Sequence, residues 1–300
     1  MTNEKENTIL IIKVKNYIQQ NINKKLPLEE LAKEANYSTF HFQRIFKSVV
    51  GETPKQYIKR VRLENASHFI TLKPSISILE VAFEFGFTSL ESFSRAFKNY
   101  YKVSPDGFRK STEEQKTVII QAKINKTLDI NLYLSKSITK ITEDMVIEIV
   151  KLPAKKSLYI STTLKSPETV TESYRKIKQW TEVRDLTTSN TELFGLLHDY
   201  PLYTSLDKCR FYTCISVDAK PKVRGEINYV EIPSRTYISF KLKGGITILI
   251  QSITKLNKHW LPESGYEFAH FPAVLIPLDD PLTNHQHDIN YQVFIAITPK

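Results

Sequence analysis

The sequence has few cysteines and no hydrophobic run long enough to cross a membrane. Only two of its 300 residues are cysteine. The longest apolar run, AVLIPL at 273–278, has the length of a strand, whereas a membrane helix needs ~18 consecutive apolar residues. The first residues also lack the cationic start, apolar centre and small-residue cleavage site of a secretory signal. These absences predict a cytoplasmic protein with no membrane partner.

The two cysteines do not have the spacing of a functional pair. Cys209 and Cys214 lie five residues apart in a predicted strand, and an odd separation places their side chains on opposite faces. A mutual disulfide is therefore disfavoured, and neither cysteine has a partner at the spacing of a zinc site. We expect both to be packing residues of a reduced protein.

The sequence also lacks the motifs of common enzyme classes. It contains no GxSxG, no HExxH and no glycine-rich phosphate loop. Two polar clusters are His198–Asp199, at a predicted strand end where capping is expected, and the HQHD stretch at 285–288. The second cluster offers two histidines without a third metal ligand. We therefore predict no catalytic residue, no cofactor and no metal site.

Positive charge is concentrated in the first third of the chain. The formal net charge is +10, and residues 1–111 hold 18 Lys and Arg against 11 Asp and Glu, a surplus of seven. The rest of the chain has 24 against 21, a surplus of three. A basic first third suits a polyanionic partner such as DNA, although charge alone is weak support.

What the sequence does contain is an internal repeat within this basic region. The stretch LEELAKEANYSTFHFQRIFK at 28–47 returns as ILEVAFEFGFTSLESFSRAFK at 78–98. Each copy predicts a short helix, a tight turn at Asn36 or Gly86, and a second helix capped by serine or threonine. Asparagine and glycine best tolerate the positive φ of such a turn. The repeat therefore predicts two helix-turn-helix copies in one all-α domain.

The second helix of each copy has an outward face that suits DNA. Phe42 and Phe46 mark the buried stripe of the first copy, and Phe93 and Phe97 mark that of the second. The opposite face carries side chains that can meet base edges in a major groove. A plain solvated face would explain a single motif better than a doubled one. The predicted base-reading residues are Thr39, Phe40, Gln43, Arg44, Leu90, Glu91, Ser94 and Arg95.

Basic residues around these helices are candidates for phosphate contact. A predicted helix over 54–70 connects the two copies, with Thr53 as its N-cap and Pro54 in its first turn. Its length of about 25 Å is the right order for holding two helices near one turn of DNA. The predicted phosphate contacts are Lys47, Lys55, Arg60, Lys98, Arg109 and Lys110.

These motifs resemble the DNA-binding domain of AraC/XylS-type transcription regulators. The resemblance rests on LEELA, YSTFHFQRIFK, GETPKQYIKRVRLENA, EFGFTSLESFSRAFKNYY and VSPDGFRK, within 9–110. It implies two helix-turn-helix units that grip successive major-groove turns of double-stranded DNA, with RNA polymerase as a further candidate partner. Asn36 stands where the family usually has glycine, but asparagine tolerates the left-handed conformation.

The second half of the chain has a repeat of its own. IVKLPAKKSLYIS at 149–161 returns as YVEIPSRTYISF at 229–240. Each copy predicts a strand, a helix and two more strands, with alternation visible in RFYTCISV and YQVFIAI. The pattern favours an α+β domain of two pseudo-symmetric halves, with an antiparallel sheet and a cleft between the halves. The predicted strands are 157–163, 192–198, 209–217, 235–242, 266–276 and 289–297, and the predicted helices are 168–183 and 246–260.

This second half resembles GyrI-like effector-binding domains. The resemblance rests on IEIVKLPAKKSLYI, GLLHDYP, LDKCRFYTCISV, the GG at 244–245 and HWLPESGYEF. It implies an aromatic pocket for a small lipophilic, often cationic, effector. Family members often place a buried glutamate where this chain has Leu275, so a neutral or planar ligand, or none, stays an open alternative. The predicted effector-binding residues are Tyr159, Tyr212, Tyr237, Trp260, Phe271, Leu275 and Tyr291.

Together these features predict a multidomain regulator. The expected domains are 8–111 for DNA binding, a polar linker at 112–143 and 144–300 for effector binding. The hypothesis is a sequence-specific transcription regulator, not an enzyme, whose C-terminal domain senses a small lipophilic or aromatic ligand. Two alternatives stay open. In one, the C-terminal domain docks proteins and binds no ligand; in the other, it is a GyrI-like small-molecule hydrolase.

Overall fold

The chain forms two compact units. The computed structural model describes residues 2–73, 75–123, 145–223, 225–283 and 289–300. The units are Met1–Ile119 and Ile120–Lys300, and the division falls inside the segment predicted to be a linker. Most of that segment and the HQHD stretch lie outside the described residues. Within the described ranges, no helix is long and apolar enough to cross a membrane.

The first unit is helical, as the repeat predicts. Two pairs of a short and a longer helix flank one long central helix. Serine and threonine cap several of these helices: Ser38 caps the second helix of the first copy, and Thr53 and Ser77 each form a capping box with the residue three positions on. The helices are α1 (Thr2–Gln20), α2 (Leu28–Glu34), α3 (Thr39–Val50), α4 (Pro54–Leu72), α5 (Ile78–Glu84), α6 (Leu90–Tyr101), α7 (Pro105–Lys110) and α8 (Glu113–Gln121).

Each helix-turn-helix copy packs around its own aromatic core. Phe42 and Phe46 of α3 are fully buried, and Phe46 meets Tyr57 of α4 edge to face with ring centroids 5.6 Å apart. Phe93 and Phe97 occupy the same positions in α6 and are also fully buried. Because each buried stripe fixes one side of its helix, the other side of α3 and of α6 faces away from the core.

One arginine of the central helix joins the two copies. The Arg62 guanidinium donates to the backbone carbonyls of Ile22 and Lys24, which follow α1, at 2.9 and 2.6 Å. It also donates to the carbonyl of Gly86, in the turn of the second copy, at 2.8 Å. The side chain therefore ties the core of the first copy to the turn of the second, and burial lowers its pKa.

The described part of the second unit is an antiparallel sheet with two helices after the first strands of its two halves. A π-helical turn, Leu256–Trp260, extends the second helix. The elements are β1 (Glu148–Leu152), β2 (Lys155–Thr163), α9 (Pro167–Glu182), β3 (Leu193–Leu197), β4 (Arg210–Ser216), β5 (Ile227–Ile232), β6 (Arg235–Lys243), α10 (Ile246–Lys255), β7 (Tyr266–Phe268), β8 (Ala273–Pro277) and β9 (Asn290–Pro299).

The strand order shows that the two halves exchange their first strands. The sheet runs β1-β6-β9-β8-β3-β4-β2-β5, with β7 paired to β9. The first strand of the first half, β1, pairs with β6, and the first strand of the second half, β5, pairs with β2. The halves meet where β8 pairs with β3. The pseudo-symmetry predicted from the repeat is therefore present, and the exchange interlocks the halves.

One predicted strand is divided in two. The stretch 266–276 was expected to be continuous, but β7 ends at Phe268 and β8 begins at Ala273. Pro272 lies between them, and proline has no N–H to donate to a sheet. The Phe271 N–H instead closes a tight local turn onto the Ala269 carbonyl at 2.8 Å.

The two faces of the sheet pack differently. Leu158 and Ile160 of β2 belong to an apolar cluster that includes Ile177 of α9, so they lie on the helix-covered face. Tyr159, between them in sequence, points to the opposite face and joins a separate cluster with Tyr237. Alternation along each strand therefore decides which side chains can meet the helices.

Candidate functional site

The turns before the two outward helices have the backbone conformation that the sequence predicts. Asn36 has φ of 56° and Gly86 has φ of 72°. Both lie in the left-handed region that asparagine and glycine tolerate. Ser38 and Ser89 then cap α3 and α6 by accepting the N–H of the residue three positions on. The departure from the usual glycine at Asn36 therefore leaves the turn intact.

The outward face of α3 is exposed. The Phe40 ring is 80% exposed, an unusual state for a large aromatic side chain. Gln43, Arg44 and Lys47 are exposed beside it, and Thr39 is half-buried at the start of the helix. The Arg44 Nη2 atom lies 3.4 Å from the imidazole of His41. This face offers an aromatic ring, an amide and two cations to solvent.

The outward face of α6 is exposed in the same way but has different chemistry. Leu90, Glu91, Arg95 and Lys98 are exposed, and Ser94 is half-buried. An apolar group and a carboxylate thus replace the ring and amide of α3, whereas the two cations are retained. The structure brings each predicted base-reading set together on one helix face, and base reading itself stays a prediction.

The residues predicted to contact phosphate differ in their exposure and in their partners within the protein. Lys47, Lys55 and Lys98 are exposed on the surface of the helical unit. The Lys110 ammonium pairs with the Asp106 carboxylate one turn earlier, at 2.7 Å. The Nε and Nη2 atoms of Arg109 are buried without a hydrogen-bond partner among the described residues. Phosphate contact by these side chains remains a prediction.

The structure gives Arg60 a different role from the phosphate contact expected of it. Its guanidinium lies 2.6 Å from the Glu52 carboxylate and 3.0 Å from the Glu64 carboxylate, and the three side chains are largely buried. Glu64 also accepts a hydrogen bond from the Tyr100 hydroxyl of α6 at 2.9 Å. Two carboxylates already neutralise the arginine, so it acts as an internal link between the copies. Spacing along α4 is consistent with the contact to Glu64 four residues on, but it could not reveal Glu52 in the preceding loop or Tyr100 of α6.

The second unit contains an apolar cleft on the helix-covered face of its sheet. The cleft has a volume of about 240 Å³. It lies between the first turns of α9 and α10, with Phe211, Leu275 and Tyr291 contributed by central strands. Its lining consists of Leu164, Lys165, Ser166, Pro167, Val170, Leu197, Leu206, Phe211, Leu242, Gly244, Gly245, Ile246, Leu249, Leu275 and Tyr291.

Two of the seven predicted effector-binding residues line this cleft, namely Leu275 and Tyr291. Tyr159 and Tyr212 stack on the opposite face of the sheet, with ring centroids 4.3 Å apart and planes 12° apart. Tyr237 lies in that opposite cluster too.

The last two predicted residues also lie outside the cleft. Phe271 packs on the cluster of the opposite face, beneath the guanidinium of Arg235 at 4.5 Å from its ring centroid. Trp260 stacks on Tyr266 at the end of the π-helical turn. The preference for aromatic residues in the sequence therefore identified mainly core residues. The glycine pair 244–245, which is part of the GyrI-like resemblance, and Ser166 begin the two helices at the cleft, and neither is among the predicted effector-binding residues.

Asp199 of the His198–Asp199 cluster forms a buried ion pair with Arg210, and the His198 imidazole beside it is neutral. The Asp199 carboxylate receives hydrogen bonds from the Arg210 side chain at 2.6 and 2.8 Å and from the Arg210 backbone N–H at 2.8 Å. Burial opposes ionisation of Asp199, but Arg210 holds its pKa below the usual value. Burial lowers the pKa of His198 to about 3. The cluster fits the capping role expected at this strand end.

Cys209 and Cys214 are both buried free thiols, as expected, and burial raises the pKa of Cys214. Across the described ranges, no group of three or more His, Cys, Asp or Glu side chains could hold a metal ion. The HQHD stretch lies outside those ranges, so its interpretation stays as the sequence left it.

Comparison with known proteins assigns a family to each unit. A family model described as a helix-turn-helix domain matches residues 31–111, and one described as a GyrI-like small molecule binding domain matches residues 145–298. The transposon Tn10 TetD protein of Escherichia coli is 38% identical over 104 residues, which are 35% of this chain and 75% of TetD. The multiple antibiotic resistance protein MarA of Salmonella typhimurium is 33% identical over 110 residues, covering 36% of this chain and 85% of MarA.

A further relative and a solved structure are also similar to parts of the chain. An uncharacterized HTH-type transcriptional regulator of Haemophilus influenzae is 39% identical over 84 residues, and the match spans only 28% of each chain. Among solved structures, the EcmrR C-terminal domain is 16% identical, with a TM-score of 0.41 over 52% of this chain and 99% of that domain.

Proposed function

Because the chain belongs to the AraC-type helix-turn-helix regulators that carry a C-terminal GyrI-like small molecule binding domain, we propose that it recognises specific sequences of double-stranded DNA and changes transcription in response to a small ligand. DNA binding and the regulation of transcription are the properties that the family shares. The specific sites, the ligand and the coupling between them are the proposed part. RNA polymerase is the expected further partner, and the cytoplasm is the expected compartment.

The main support for sequence-specific DNA recognition is the pair of exposed faces on α3 and α6. Each is the outer side of a capped helix whose inner side is anchored by two fully buried phenylalanines. The two faces keep the cations Arg44 and Arg95 at matching positions but differ at Gln43 and Ser94. Such a difference lets the two helices prefer different base pairs, since base-edge contacts specify sequence whereas phosphate contacts position the protein.

Selection from a pool of random duplexes with the full chain tests this proposal. The expected result is a bipartite site with two different short motifs about one helical turn, ~10 base pairs, apart. The affinity for the selected site should fall steeply with salt, because each neutralised phosphate releases counterions. A single short motif would contradict reading by both helices, and unselective binding would contradict sequence recognition.

The cleft between α9 and α10 supports ligand sensing in the second unit. It is concave and mainly apolar, with a few polar groups at one end, which is the usual composition of a small-molecule site. A ligand that binds only the folded unit raises its unfolding temperature. Thermal unfolding of the full chain against lipophilic anions, neutrals and cations therefore tests sensing. If no class shifts the transition, the domain is better explained as a protein-docking module.

A further inference from the structure

The cleft is electropositive although its walls are mainly apolar. Among the fifteen lining residues that the structure describes there is no Asp or Glu, and Lys165 is the one basic residue. Lys165 is exposed at the rim. Glu168, the acid in the first turn of α9, is exposed and does not belong to the lining. A cationic ligand would therefore find no counter-charge in this lining.

The start of α10 is the second electropositive feature. Helix N-termini carry backbone N–H groups without intrahelical partners and the positive end of the helix dipole. Gly245 is the N-cap of this ten-residue helix, with φ of −81° and ψ of −167°, and the helix start has no side-chain cap and no acid in its first turn. Gly244 and Gly245 both line the cleft. The α9 start differs, since the Ser166 hydroxyl accepts the Thr169 N–H.

Gly245 also leaves physical room for a ligand at the α10 start. A Cβ built on it meets no atom within 4 Å, whereas one on Gly244 would lie 3.1 Å from the Ile248 side chain. The absence of a side chain therefore keeps the first turn of α10 accessible from the cleft. This arrangement, open N–H groups at a helix start next to a concave space, is the one in which proteins hold carboxylates and phosphates.

A buried hydroxyl beside the cleft needs a partner. Tyr174 lies one turn along α9 from the lining residue Val170 and is fully buried. Its hydroxyl has no hydrogen-bond partner within the described part of the chain. Burial raises the pKa of Tyr174, and the neighbouring Tyr291, which lines the cleft, contributes to the same shift. A buried hydroxyl without a partner costs about 1–3 kcal/mol.

We propose that the cleft binds a lipophilic monoanion, with its apolar body against Phe211, Leu249 and Leu275 and its acid group at the start of α10 near Lys165. This inference rests on the proposed ligand-sensing function and specifies the ligand class. The anion neutralises the unpaired positive end of α10, and the apolar body fills the remaining volume. The same field would repel a cation of the same size.

Three probes with one shared apolar body test the proposal: 4-phenylbutanoate, 4-phenylbutan-1-ol and 4-phenylbutylammonium. Titration calorimetry of the full chain at pH 7 measures each affinity. We expect the carboxylate to bind about tenfold more tightly than the alcohol, the change that 1.4 kcal/mol of charge-assisted bonding gives. The ammonium ion should bind most weakly.

Two variants locate the acid group, one separates the effect of charge from that of side-chain bulk, and one controls for general surface charge. Gly245→Asp places a carboxylate at the α10 start, where its backbone angles suit a capping aspartate. It should remove the preference for the carboxylate probe, whereas the isosteric Gly245→Asn should keep part of it. Lys165→Gln should weaken carboxylate binding by about threefold and leave alcohol binding unchanged. Lys241→Gln should change neither, because Lys241 is exposed on β6 next to the lining residue Leu242 and points to the other face.

The possible results separate this proposal from the ligand-sensing function itself. Tighter binding of the alcohol or the ammonium ion overturns the anion proposal and leaves small-molecule sensing in place. Equal loss of carboxylate affinity in Lys241→Gln and Lys165→Gln also overturns it, since the preference would then be a general surface effect. Failure of all three probes to bind removes both the anion proposal and the support that the cleft gives to sensing.

Discussion

At the scale of single residues, exposure distinguishes side chains that can read bases from those that support the fold. Gln43 is exposed on α3 in the middle of a face whose opposite side is fully buried. Glutamine pairs bidentately with adenine, so its loss should affect one base pair. We predict that Gln43→Ala costs about 1–3 kcal/mol on the selected site and relaxes the preference at that base pair.

Lys47→Ala is the matched contrast, because Lys47 lies one turn further along the same face. It should weaken binding to all duplexes about equally and reduce the salt slope by about one. Mobility shifts with the selected site and its single-base variants measure both effects. A uniform loss in Gln43→Ala, with no base pair relaxed, would show that Gln43 does not read a base.

The Asp199–Arg210 pair allows a stability prediction for the second unit. Arg210 holds the pKa of Asp199 below its usual value, so the pair's stabilisation is fully present above the unfolded pKa of about 3.9. It is lost as the pH falls through the lower folded pKa. Arg210→Met leaves a buried carboxylate without its partner and should cost about 3–5 kcal/mol at neutral pH.

The double variant Asp199→Asn with Arg210→Met should recover part of this loss, since no buried charge then remains. Tryptophan fluorescence during urea unfolding reports on the second unit alone, because both tryptophans of the chain, Trp180 and Trp260, lie in it. An Arg210→Met variant as stable as the parent at pH 7 would contradict the importance of the pair.

At the scale of elements, the turns next to α3 and α6 provide a matched pair of glycines. Gly51 and Gly86 both have positive φ, so alanine is strained at either position. A Cβ on Gly51 meets no atom within 4 Å, but one on Gly86 would lie 2.7 Å from the Arg62 guanidinium and 2.9 Å from the Asn23 carbonyl. We predict that Gly51→Ala costs about 1 kcal/mol and that Gly86→Ala costs ~1–3 kcal/mol more.

Far-UV circular dichroism during thermal unfolding measures the helical unit. Gly86→Ala should also weaken binding to the bipartite site, because the Arg62 link joins the two copies. Equal stability of the two alanine variants would show that the backbone strain, and not the arginine link, sets the cost.

A glycine inside the sheet keeps the cleft open. A Cβ on Gly195 of β3 would lie 2.1 Å from the Phe211 ring, which lines the cleft. We predict that Gly195→Ala destabilises the second unit by about 1–3 kcal/mol and displaces the ring. Tryptophan fluorescence during unfolding measures the loss, and Phe211→Leu in the same chain should restore part of it. A lack of rescue would place the strain elsewhere.

Sequence reasoning succeeded where one pattern determines one structure. The spacing of Phe42 and Phe46, repeated at Phe93 and Phe97, predicts which sides of α3 and α6 are buried and which face outward. It did not locate the cleft, because alternation separates two faces of a strand but does not say which face the helices cover. The predicted residue Tyr212 therefore joins the cluster on the opposite face, whereas its neighbour Phe211, for which the sequence predicts no role, lines the cleft.

The internal links of the helical unit were beyond sequence reasoning for a related reason. Arg60 and Arg62 both read as basic residues on a helix next to DNA-binding motifs. Their partners are two carboxylates in one case and three carbonyls in the other. All of these except Glu64, which lies four residues along the same helix, come from segments that only the folded chain brings together. A basic residue on a helix face can therefore be assigned a phosphate contact only when its partners within the protein are known.

At the scale of the whole molecule, regulation requires that the ligand and the DNA influence each other's binding. If the ligand changes DNA affinity by some factor, the DNA must change ligand affinity by the same factor, because both arise from one coupling free energy. We predict a coupling of about 1–3 kcal/mol, which is a 5- to 150-fold change. With 4-phenylbutanoate as the probe, titrations of the full chain with and without the selected duplex measure it.

The duplex with both motifs scrambled is the control, and it should leave the probe affinity unchanged. The Gly245→Asp chain is the second control, since it should lose the coupling together with probe binding while still recognising the selected site. Probe binding that is identical with and without the specific duplex would contradict regulation through DNA affinity. In that case the ligand would have to act after DNA binding, at the step where a bound regulator engages RNA polymerase.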